Sequence, residues 1–101
     1  MQISFIIVDR TARLSLGGRF DFSAHREFRE KTEQLLQHAD VDTVDIDLGA
    51  VSYLDSSALG MLLMLRDKAK AAEREIRLSN CSASVRQVLD VANFQKLFRI
   101  D

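Results

Sequence analysis

The chain has 101 residues, of which 47% are hydrophobic and 29% charged, and its net charge is -1. This is the balance of one soluble globular domain spanning residues 1–101, and it excludes a mainly disordered chain, which would be more polar and more strongly charged. A pI of about 6.1 without any basic block argues against nucleic acid as a partner.

The longest apolar run, Ala58 to Leu65, falls well short of the ~20 residues that a spanning helix needs. No basic residue precedes the apolar stretch of MQISFIIVDR. The N-terminus therefore does not read as a secretory signal, and a cytoplasmic location is expected. Cys81 is the only cysteine, so packing rather than a disulfide must hold the fold, and a buried, inert thiol is the plain reading. His25 and His38 lack cysteine partners at zinc spacing.

In chain order, Ile3 to Val8 is a β-branched and aromatic run that predicts a strand. From Thr11 to Leu16, Ala12, Leu14 and Leu16 alternate with polar residues, the period of a strand with one wet face. Asp9-Arg10 is short enough to join the two as a hairpin. Gly17-Gly18 is expected to end the second strand. Ser23 is a candidate N-cap, followed by Phe28, Thr32, Leu35 and Ala39 at helical spacing.

Val44, Ile46 and Leu48 alternate with Asp45 and Asp47, which predicts a third strand. A second helix is expected from about Ser56 to Ala72. Ile76 and Leu78 mark a fourth strand. Val85, Val88, Leu89 and Ala92 mark a third helix capped by Ser82, and the apolar tail Phe94 to Ile100 suggests a last short strand. The order ββαβαβα(β) predicts an α/β fold, a small mixed β-sheet with helices packed on it. Strands joined through helices should run parallel.

Four places carry candidate chemistry. Asp45, Asp47 and Asp55 suggest Mg²⁺, yet no calcium-loop glycine and glutamate follow at the required spacing; a solvated strand face explains the first two. Gly17 to Asp21 is not a dinucleotide fingerprint and reads as a turn, with Asp21 a cap or a site residue. Asp55-Ser56-Ser57 opens the second helix. It is a cap, or it offers a serine to a phosphoryl group at a helix terminus, where free N–H groups and the helix dipole favour an anion. A serine hydrolase would need an elbow motif and a base, and neither is visible.

The fourth place is Ala58 to Leu65, apolar on nearly every side of a helix. Ala58, Leu62, Leu65, Ala69 and Ala72 already supply a core face. Met61 and Met64 are expected off that face, on the side of Lys68; either neighbouring helices bury both sides, or the methionines form a partly exposed patch that grips a partner.

The stretch Val44 to Gly60 closely resembles the signature of the STAS domain: a strand ending in Asp47-Leu48, a short loop with Tyr53, then Asp55-Ser56-Ser57-Ala58 opening a helix. Gly18-Arg19-Phe20-Asp21 is similar to the family's glycine-x-x-aspartate, and Val85, Val88, Leu89 and the ending Leu97 to Ile100 resemble its C-terminal part. The stand-alone members of this family are bacterial anti-sigma factor antagonists.

The resemblance implies a STAS-like fold and a partner-switching binding protein rather than an enzyme. It implies that the unphosphorylated chain binds a protein serine kinase that doubles as an anti-sigma factor. That kinase phosphorylates Ser57, with Ser56 the second choice, and a PP2C-type phosphatase reverses the step. Asp21, Asp55 and Ser56 would surround the phosphosite, and Ala58, Gly60, Met61 and Met64 would meet the partner. No cofactor is implied. Ala58 stands where many members have glycine. The alternative function is a non-switched STAS subunit of a transport or signalling assembly. A small-molecule module is disfavoured by the lack of a glycine-rich phosphate cradle.

Overall fold

The computed structural model describes residues 1–101. Its strands are β1 (Gln2–Val8), β2 (Thr11–Phe20), β3 (Thr43–Leu54), β4 (Glu75–Ser79) and β5 (Arg99–Ile100), and its helices are α1 (His25–Leu36), α2 (Ser56–Ala71) and α3 (Ala83–Val91). The strands form one five-stranded sheet in the order β1-β2-β3-β4-β5. The β1–β2 hairpin is antiparallel, and every later pair, joined through a helix, is parallel. This is the mixed α/β architecture that the alternation of elements predicts.

Asp9 and Arg10 make the hairpin turn with φ of 51° and 66°. Positive φ at both centres matches the twist of the flanking strands, and it strains a residue with a Cβ. Arg10 is held from outside. Its carbonyl accepts from Asp42 and Thr43 N–H, and its guanidinium meets Asp42 at 3.0 Å. That cation, with the Thr43 hydroxyl, keeps the Asp42 carboxyl below its ordinary pKa.

Burial alternates along β1 and β2. Ile3, Ala12, Leu14 and Leu16 are buried, whereas Ser4, Ile6, Val8, Arg13 and Ser15 are exposed. Val44, Ile46, Leu48 and Leu78 continue the apolar layer across β3 and β4. Phe28 and Leu35 of α1, Leu62 and Leu65 of α2, and Val85 and Leu89 of α3 close over it. Phe20 and Phe28 pack with ring centroids 5.2 Å apart, a geometry that adds about 0.5–1.5 kcal/mol beyond the area buried.

Four expectations are corrected. Gly17-Gly18 does not end β2, which runs on to Phe20 through irregular pairing around both glycines. Gly18 has φ +89°, open to glycine but strained for any other residue. Ser23 is not the cap. Asp21 caps a single 3₁₀ turn, Phe22–Ala24, that leads into α1. α1 ends at Leu36, so Ala39 lies beyond it and is exposed.

The largest correction concerns Asp45, which is only 2% exposed. It pairs laterally with Arg13 of β2 and Arg77 of β4 in the sheet register, and their guanidiniums stand 3.3 and 3.5 Å from its carboxylate. The Ser79 hydroxyl donates to its other oxygen at 2.6 Å. Two guanidiniums and a hydroxyl thus satisfy the oxygens of this buried side chain.

Candidate functional site

β2 and β3 finish together. Phe20 pairs with Leu54, and Asp55 N–H donates to the Phe20 carbonyl. Two aspartates therefore leave neighbouring parallel strands side by side, and each caps the helical segment that follows. The Asp55 carboxylate accepts from Ala58 N–H at 2.9 Å. Asp21 accepts from the backbone N–H and the hydroxyl of Ser23. The Ser23 hydroxyl, then its N–H, and then Arg19 at 3.7 Å hold the Asp21 carboxyl below its ordinary pKa.

Because Asp55 caps α2, the two serines behind it are released from that task. Ser56 is exposed and Ser57 half-buried, and neither hydroxyl bonds within the chain. Both stand in the first turn, where backbone N–H groups lack intrahelical partners and the helix dipole is positive. Such a terminus stabilises added negative charge. Asp47, by contrast, accepts from Gly49 N–H at 2.9 Å within β3, where the register against β2 shifts. Asp45, Asp47 and Asp55 thus have three separate tasks.

Around the serines, Ala58 is fully buried and Gly60 exposed. A Cβ added at Gly60 meets nothing within 4 Å, so packing inside this chain does not require glycine there. Met64 is 51% exposed, on the outer side as expected. Met61 is not. It is 5% exposed and belongs to the core, where it also floors a groove against α1. Sequence periodicity puts it off the main apolar stripe, but α1 covers that side.

Two surface features escape the sequence reading. The Arg19 guanidinium lies 4.2 Å from the centroid of the Tyr53 ring, holding this exposed aromatic beside the site. Phe22 is 69% exposed and stacks on His25. Arg19 and Tyr53 are neighbours across the β2–β3 ladder and Phe22 lies in the 3₁₀ turn, so neither pairing follows from hydrophobic periodicity. Between β4 and α3, burial pushes the Cys81 thiol pKa up and disfavours thiolate.

A small mixed sheet thus displays an aspartate-capped, serine-bearing helix start at the end of its central strand. The chain belongs to the STAS domain family: the family model described as Mlab, STAS domain matches residues 3–99. A STAS-domain containing protein of Pseudomonas aeruginosa (strain UCBPP-PA14) is 46% identical over 87 residues, 86% of this chain and 84% of the relative.

The fold is that of the anti-sigma factor antagonist SpoIIAA. Its unphosphorylated form superposes with a TM-score of 0.77 at 23% identity, covering 99% of this chain and 87% of SpoIIAA. The phosphorylated form of the Bacillus protein gives 0.74 at 21% identity, covering 99% and 91%. A sulfate transporter family protein from Wolinella succinogenes shares the fold at TM-score 0.78 and 14% identity, covering 94% and 79%. No helix of this chain is long and apolar enough to cross a membrane.

Proposed function

We propose that the chain is a phospho-switched binding protein of the anti-sigma factor antagonist kind. It has no catalytic role of its own and acts in the cytoplasm. Unphosphorylated, it binds a protein serine kinase that doubles as an anti-sigma factor. The kinase places phosphate on Ser57, with Ser56 the second choice, and the complex separates. A PP2C-type phosphatase resets the chain. The observation that carries this reading is the pair of unbonded serines behind Asp55, in the first turn of a helix whose outer side exposes Met64.

The physics of the switch follows from that position. Phosphate adds about -1.5 to -2 charge, which a helix N-terminus tolerates, so the fold persists. Against a partner the same charge is desolvated beside Asp55 and Asp21, and both effects oppose binding. A penalty of only ~3 kcal/mol weakens affinity more than a hundredfold. Ala58 keeps the turn tight, Gly60 leaves room for close approach, Met64 supplies apolar contact and Met61 supports it from beneath.

Calorimetric titration of the kinase recovered with the wild-type chain tests this. Ser57→Ala should bind as wild type, and Ser57→Asp should stay folded by circular dichroism and bind roughly a hundredfold more weakly. An Asp variant of wild-type affinity would remove charge as the switch. The likeness to the sulfate transporter family protein favours a second reading, a non-switched subunit of a transport or signalling assembly. That reading requires Ser57→Asp and Ser57→Ala to behave alike.

A further inference from the structure

We propose that the groove between α1 and α2 seats an acidic, amphipathic segment of the partner, with its apolar face against the groove floor and carboxylates at the rim. The proposal rests on the reading of α2 as the partner surface. Ser57, Met61, Met64 and Lys68 recur at i, i+4, i+7 and i+11, so they form one stripe along the helix. α1 faces that stripe with His25, Phe28 and Arg29, and a shallow groove runs between the two helices.

The groove is shallow and open, unlike the ~300–1,000 Å³ of a small-molecule pocket, so it suits a surface contact. Its floor is apolar, with Phe28 and Met61 both buried. Its polar lining is His25, Arg29 and Lys68, without a carboxylate, in a chain whose net charge is -1. Lys68 has only the exposed Glu33 at 3.8 Å, and Arg29 has no ion-pair partner within the chain. A cationic rim over an apolar floor is complementary to an acidic amphipathic segment. Phosphate on Ser57, at the head of the stripe, then repels the carboxylates that this surface attracts.

The test uses the full ¹⁵N-labelled chain and two synthetic helical peptides. Both carry leucines at i, i+3, i+4 and i+7; one has glutamates on its flanks and the other lysines. The glutamate peptide should shift the amides of Phe28, Arg29, Met61 and Met64, and the lysine peptide should not. Arg29→Glu, at an exposed position, should weaken the glutamate peptide by roughly tenfold, and Arg29→Lys should restore it.

No shift at millimolar glutamate peptide, equal binding of both peptides, or shifts at these residues with phosphatidylglycerol vesicles would each overturn the proposal. The functional reading fails separately. If kinase binding ignores Ser57→Asp while the peptide results hold, the switch is wrong and the groove stands; normal Ser57 dependence without peptide binding removes only the groove.

Discussion

Two helices of this domain start with serines, and they spend them differently. At α3, Ser82 is itself the cap. Its hydroxyl accepts from Val85 N–H at 3.3 Å and lies 3.3 Å from the Ser84 hydroxyl, so the serines serve the helix and one another. At α2 a carboxylate does the capping, and both hydroxyls stay free. The count of serines does not separate the two sites; the identity of the cap does. An aspartate ahead of the serines releases them for chemistry with another molecule, and it keeps a negative charge beside any phosphate that arrives.

The surroundings widen the difference, and a methionine pair tests them with the largest expected effect. Met61→Lys places a charge in the core and should cost about 3–5 kcal/mol of stability. Met64→Lys, on the exposed flank of the same helix, should change stability by less than ~0.5 kcal/mol while weakening partner binding. Thermal melts of both variants, with binding measured for the second, check the assignment. Equal destabilisation would show that α2 is core on both sides and leaves no contact surface beside Ser57.

A smaller effect sharpens the comparison of caps. Asp55→Ala removes a charged cap with a 2.9 Å bond, and Ser82→Ala removes a neutral one at 3.3 Å. Losses of about 1–2 kcal/mol for Asp55→Ala and about 0.5–1 kcal/mol for Ser82→Ala are expected from urea denaturation. If Ser82→Ala costs as much, the carboxylate has no special place at α2.

Much of this organisation is legible in the residues. The period of two in Thr11 to Leu16 and in Val44 to Leu48 fixes strands with an apolar face, because alternate side chains must point to opposite sides. Ser82 before Val85 announces α3, because capping acts within one turn. The Asp-Ser-Ser sequence is equally local.

What escapes the sequence depends on neighbours far along the chain. Asp45 reads as solvated until β2 and β4 bring Arg13 and Arg77 over it. Met61 lies off the main stripe of α2, yet α1 buries it. Gly17-Gly18 looks like a stop, and only pairing with β3 reveals an irregular strand that carries on to place Asp21 beside Asp55. Ser23 loses its capping role to Asp21 because a 3₁₀ turn precedes α1.

The account turns on which serine takes phosphate. Tandem mass spectrometry of the chain incubated with its kinase, ATP and Mg²⁺ measures this directly. The account predicts one phosphate, on Ser57, with Ser82 and Ser84 unmodified. Phosphate confined to residues other than Ser56 and Ser57, or no phosphate on a chain that the kinase binds, would contradict it.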